Sequence, residues 1–106
     1  MTQRLTGDDI QVDALAKTLA THSEEFALRG GYYDFSAQCG TWGDPAGKVQ
    51  VEQLMPDGAT YVGVGDGLGA DGTEQVYLPS GSYRFAVTSA LGATAAVRLA
   101  RIPLGN

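Results

Sequence analysis

One stretch of this chain occurs twice. Phe26-Ala27-Leu28-Arg29-Gly30-Gly31-Tyr32-Tyr33-Asp34-Phe35-Ser36-Ala37 aligns, 50 residues later, with Val76-Tyr77-Leu78-Pro79-Ser80-Gly81-Ser82-Tyr83-Arg84-Phe85-Ala86-Val87. Both read apolar-x-Leu-x-x-Gly-x-Tyr-x-Phe-x-apolar. At a separation of 48 the run that follows also matches, with Val49 on Val97, Val51 on Leu99 and Leu54 on Ile102. A repeated unit of this kind is a supersecondary element that cannot bury its apolar face alone. Each copy reads strand, tight turn, strand, loop, strand, and two such three-stranded units facing one another close a core. The expected fold class is therefore all-β: a single antiparallel β-sandwich of about seven strands with an internal pseudo-repeat. Residues 59–72 would join its halves.

The strands show as period-two alternation. Over residues 33–39, Tyr33, Phe35, Ala37 and Cys39 share one face while Asp34, Ser36 and Gln38 share the other. The same alternation links Phe26 with Leu28, Val49 with Val51, Val76 with Leu78, Tyr83 with Phe85 and Val87, and Val97 with Leu99. Tyr61, Val62 and Val64 make one further strand. Between them lie Gly30-Gly31, Pro56-Asp57-Gly58, Pro79-Ser80-Gly81, Gly92 and the glycine-rich runs 40–47 and 65–72. Glycine fills 15 of 106 positions, about twice its usual ~7% share, as a fold with many tight turns requires.

The length fits one domain, with residues 23–106 as the sandwich and residues 1–22 as a polar N-terminal arm. In the arm Leu15 and Leu19 stand at helical spacing, yet Ile10, Val12 and Ala14 alternate as a strand would. A short helix and an added edge strand are both open. On this reading the sandwich folds without residues 1–22.

Seven Lys+Arg against 12 Asp+Glu leave a net charge of −5 with no basic block. Such a field repels phosphate backbones, so nucleic acid is not an expected partner. No run approaches the ~18 apolar residues of a membrane-crossing helix, and no membrane partner is expected. Arg4, Asp8 and Asp9 do not make a signal-peptide core, which points to folding in a cytoplasm.

Catalytic groups are sparse. The one histidine, His22, is followed by Ser23, but neighbours in sequence do not make an oriented dyad and nothing marks an oxyanion site. Cys39 falls on the inward face of its strand and reads as a small buried hydrophobe. Asp66, Asp71 and Glu74 put three carboxylates on one loop, at a spacing that matches neither the helix-loop-helix calcium pattern nor the glycine-rich nonapeptide. No cofactor or metal is expected, and the chain is expected to act by binding or assembly rather than as an enzyme.

Contact residues are sought among the aromatics. Tyr33 and Tyr83 hold equivalent repeat positions and read as core residues whose hydroxyls reach the rim. Trp42, in a loop, and Tyr77, pointing away from Val76 and Leu78, are candidate interface anchors. Trp42 could equally cap the open end of the sandwich. With Asp66 in its loop and Leu15 and Leu19 on the arm, these residues make up the candidate protein interface.

Leu28-Arg29-Gly30-Gly31-Tyr32-Tyr33-Asp34-Phe35, then Val49-Gln50-Val51-Glu52-Gln53-Leu54-Met55-Pro56-Asp57-Gly58, then Leu78-Pro79-Ser80-Gly81-Ser82-Tyr83-Arg84 resemble the small structural proteins encoded in virion-gene regions of tailed bacteriophages. The recurrent pattern there is Leu-x-Gly-Gly-x-Tyr, an aromatic strand, then Val-x-Leu-x-x-Leu-x-Pro-x-Gly and a second Leu-Pro-x-Gly-x-Tyr-Arg. The resemblance covers residues 24–102. It implies a jelly-roll-like domain that decorates or cements a capsid, or serves as a small head-fibre component. The implied partner is the major capsid protein, met at subunit junctions by a homo-oligomer, with a trimer among the states a capsid lattice favours. The implied location is the virion, assembled in the host cytoplasm. A second reading, a carbohydrate-binding sandwich module of a fibre or tail accessory protein, predicts that Trp42 and Tyr77, with Tyr61 as an optional third, cluster on one exposed surface.

Overall fold

The alternating runs become strands in a computed structural model that describes residues 3–5, 9–15, 21–43, 47–89 and 91–102. In chain order the strands are β1 (Gln3–Leu5), β2 (Asp9–Leu15), β3 (Phe26–Leu28), β4 (Gly31–Cys39), β5 (Lys48–Leu54), β6 (Tyr61–Leu68), β7 (Gly72–Leu78), β8 (Gly81–Ser89) and β9 (Ala95–Arg101). Alternation sorts their side chains as expected. Tyr33, Phe35, Ala37 and Cys39 of β4, Tyr83, Phe85 and Val87 of β8, and Val97 and Leu99 of β9 are all buried in one core.

Two antiparallel sheets enclose that core. One has the order β1-β2-β9-β4-β7 and the other β3-β8-β5-β6. The pairings nest: β5 pairs with β6, β4 with β7, β3 with β8 and β2 with β9, all antiparallel. The chain is thus one long hairpin folded over itself, and the pairs β4–β9 and β5–β8 form where it closes. Its tip lies at Pro56-Asp57-Gly58. There the Asp57 carboxylate accepts from the Ala59 and Thr60 amides, each at 2.9 Å, and from the Thr60 hydroxyl at 2.6 Å. Those bonds hold its pKa down at about 2.

Strand β6 does not run straight. Val64 faces Val51 and Leu68 faces Val49, so Gly65, Asp66 and Gly67 stand opposite Gln50 alone. Gly65 and Gly67 have φ of 75° and 78°, a region glycine enters without a Cβ penalty. The Gln50 side-chain amide donates to the Gly65 carbonyl at 2.8 Å and holds the bulge. Beyond it β6 leans toward β7, where the Asp66 amide donates to Glu74 at 3.1 Å.

The repeat is present, but its halves do not face one another as separate sheets. Sequence spacing places β3, β4 and β5 on β7, β8 and β9. In space β4 lies between β7 and β9, and β8 lies between β3 and β5. The middle strand of each half is therefore paired on both sides with strands of the other half. Registers agree too: Gly31↔Leu78 matches Leu28↔Gly81, Tyr33↔Val76 matches Phe26↔Tyr83, and Phe35↔Leu99 matches Val51↔Phe85. Equivalent residues also meet. The rings of Phe35 and Phe85 stack at 5.8 Å, and the Gly30 amide donates to the Ser80 hydroxyl at 3.1 Å. These contacts mark a pseudo-two-fold axis through the core.

The two buried tyrosines obey the same symmetry. Tyr33 donates its hydroxyl to the Arg29 carbonyl at 2.7 Å, and Tyr83 donates to the Pro79 carbonyl, four residues back in each case. Each bond satisfies a phenol that burial would otherwise penalise and is worth about 1 kcal/mol net. Burial also raises the Tyr83 pKa.

The N-terminal segment departs from expectation. Of the two conformations left open, residues 9–15 adopt the strand, built into the larger sheet. β2 pairs along β9, and Ile10, Val12 and Leu15 lie in the core at 1% exposure or less. β1 and β2 account for the two strands beyond the expected seven. A bulge between Val12 and Leu15 sets one extra residue of β2 against β9, which returns Leu15 to the inward face. Leu15→Ala should then cost about 3 kcal/mol in urea unfolding, as a buried leucine does. A residue on a solvated arm would stay within about 0.5 kcal/mol.

Candidate interaction surface

Because Tyr33, Val76 and Leu78 point inward, their neighbours Tyr32 and Tyr77 point out from the larger sheet. The β4–β7 register sets the two directly opposite. Their rings meet edge to face at 5.2 Å, and they remain 46% and 56% exposed. With Val62 at 48%, they are the exposed large hydrophobic residues among those described. A cross-strand aromatic pair holds its own geometry at about 0.2–1 kcal/mol, so little ordering remains to be done when a partner lands on it.

Below the tyrosines the same face turns polar. Asp34 stands opposite Gln75, and Ser36 opposite Thr73 and Arg98. Small residues at Ser36 and Ala96, ringed by Gln11, Gln38 and Arg98, leave a shallow depression of about 240 Å3. The face thus combines an aromatic ridge at one end with hydrogen-bonding groups along its length.

Trp42 takes the capping role. It is half-buried and packs against the core, and its indole N–H donates to Asp71 at 2.9 Å. The same carboxylate oxygen accepts from the Cys39 amide at 2.9 Å. These two bonds, the Cys39 amide first and the Trp42 indole second, lower the Asp71 pKa. The Cys39 thiol donates toward the carbonyls of Thr41 at 3.1 Å and Ala93 at 3.3 Å, and the Gly92 amide donates to Thr41 at 2.9 Å. One end of the sandwich is tied shut by this cluster.

The other expected contact residues are scattered. Asp66 is exposed on the β6 bulge, its amide bonded to Glu74 of β7 and its strand belonging to the smaller sheet. Leu15 is in the core and offers no surface; Leu19 lies outside the described residues. Tyr61 belongs to the smaller sheet, where it donates to Glu25 at 2.8 Å. The Arg84 guanidinium lies 3.8 Å above its ring and bonds Glu52 at 2.8 Å. Trp42, Tyr61 and Tyr77 therefore share no surface, and a sugar site built on those three has no basis. Tyr32, which its parity places outward, is the partner of Tyr77 that strand pairing was needed to find.

The chemistry-bearing side chains hold structural posts. Ser23 is buried; its hydroxyl accepts from the Phe85 amide at 3.0 Å and donates to the Glu24 carbonyl at 3.0 Å, while His22 Nδ1 lies 3.0 Å from the Ser23 carbonyl. Asp71 and Glu74 are turned to different partners, and no group of three or more metal-binding side chains occurs among the described residues. No helix there is long and apolar enough to cross a membrane.

The fold and surface define an all-β sandwich with an exposed cross-strand aromatic pair. No protein-family model matches the chain, and no curated protein matches its sequence.

The Asp71 clamp makes a pH prediction. A carboxyl whose pKa is depressed by folding contributes stability that is complete above its unfolded pKa and lost as pH falls through the folded one. Asp71→Asn keeps an acceptor but removes the charge. Its urea midpoint should lie below that of the unsubstituted protein at neutral pH, and the gap should close as pH falls below the ordinary carboxylate range.

Proposed function

We propose that this chain is a non-catalytic structural protein of a tailed-phage virion, a jelly roll that decorates or cements the capsid by docking its larger sheet across subunit junctions. The nested pairing of β2–β9, β3–β8, β4–β7 and β5–β6 over two sheets supports the jelly-roll description. The observation that carries the docking surface is the exposed, pre-ordered Tyr32–Tyr77 pair, since tyrosines of this kind are typical interface anchors.

Size supports a junction. Five strands about 4.8 Å apart, 33 residues in all at about 3.3 Å each, give a face of roughly 500 Å2. A standard interface takes about 800 Å2 per partner. One copy on one flat subunit would hold weakly, whereas a copy bridging two subunits, or an oligomer spanning several, gains by multivalency. Bound copies would then stabilise the shell by mass action.

Purified protein added to decoration-free capsids should co-sediment and raise their thermal stability. Tyr32→Ala with Tyr77→Ala should weaken that binding by tenfold or more, about 1.4 kcal/mol or above. Absence of binding at saturation, or full binding by the double variant, would sink this reading.

A further inference from the structure

The strand pairings also say what a second copy of this chain can do. β7 pairs only with β4, β8 with β3 and β5, and β9 with β2 and β4. Among the described residues, 72–101 therefore contain no strand pair of their own, and the ladders they make are with residues 9–54. Only β1–β2 and β5–β6 lie within the first segment. A single three-residue connection, residues 69–71, joins the two segments between β6 and β7.

We infer that two copies of this chain exchange their C-terminal segments, residues 72–101 of each completing the sandwich of the other, with residues 69–71 as the hinge. The exchange keeps every strand pair. It also keeps the contacts around the hinge, which cross between the segments or, for Asp71, run from the last hinge residue to the sandwich that its segment enters. The Asp71 carboxylate meets Cys39 and Trp42, the Asp66 amide meets Glu74, and the Phe35 ring meets Phe85. The two forms differ in the hinge backbone alone: reversed at the sandwich edge in the monomer, extended between sandwiches in the dimer. The dimer is closed by a two-fold axis, so exchange stops at two chains unless an open chain recruits a third.

Concentration decides between the forms. A short tether holds a segment at an effective concentration on the order of 1 mM, so the monomer wins in dilute protein and exchange competes near that level. Leaving one sandwich for another requires breaking all the ladders of β7, β8 and β9, so the forms interconvert through the unfolded chain. A hinge too short to reverse favours the dimer at any concentration.

The test uses the full chain with Ser36→Cys and Thr73→Cys, which stand opposite one another on the outer face of β4 and β7, and Cys39→Ala to leave no other thiol. It is unfolded in urea, refolded at concentrations rising to about 1 mM, oxidised and run on a denaturing gel without reductant. Exchange predicts a band at twice 11.1 kDa that grows with refolding concentration, and that dominates throughout when Ala70 is deleted. The refolding series alone suffices if the deletion does not fold. Only the 11.1 kDa band at every concentration, or a dimer in solution that separates into single chains on the gel, would overturn the inference.

Discussion

β4 and β8 meet across the core through the stacked rings of Phe35 and Phe85, and each takes both its hydrogen-bonded neighbours from the other half of the repeat. Everything else in the fold hangs on that crossed arrangement. Fixing the backbone of one half, about 30 residues, costs on the order of 30–60 kcal/mol of conformational entropy. Neither half can offset that cost alone. Among the described residues neither β3–β5 nor β7–β9 contains a ladder of its own, and the hairpins β1–β2 and β5–β6 are marginal in water by themselves. Docking the halves forms four ladders and buries the aromatic residues of both copies of the repeat in one event.

The exposed aromatic pair follows from the same pairing. β4 and β7 come from different halves, and it is their register that sets Tyr32 beside Tyr77. Had β4 paired within its own half, the two rings would sit on separate sheets. The loops that cap the sandwich carry a similar signature, because Asp71 of the hinge fastens Trp42 and Cys39 of the first half. Assembly of the fold and assembly of the surface are thus one process, and the proposed virion role places its aromatic anchors on the most interdependent pair of strands.

Much of this was legible before any coordinates. Parity along residues 33–39 and 83–87 assigned the inward faces, and the change of repeat separation from 50 to 48 matches the observed registers of β5 and β9. Parity does not name a strand's neighbour, however, and the same faces would be buried had each half formed its own sheet. That is why crossed pairing escaped the sequence, and with it the Tyr32–Tyr77 contact. β2 was obscured by its bulge: the extra residue between Val12 and Leu15 breaks the period of two, and what remains, Leu15 with Leu19, imitates a helix. Trp42 could not be assigned between anchor and cap because its partner, Asp71, lies 29 positions away across the hinge.

Native-state hydrogen exchange across β3–β5 and β7–β9 tests the crossed pairing most directly. If neither half has structure without the other, the slowest amides of β4 and β8 must exchange through one shared opening, with a free energy equal to that of global unfolding in urea. A contradiction would be the amides of one half exchanging through a lower-energy opening while those of the other stay protected.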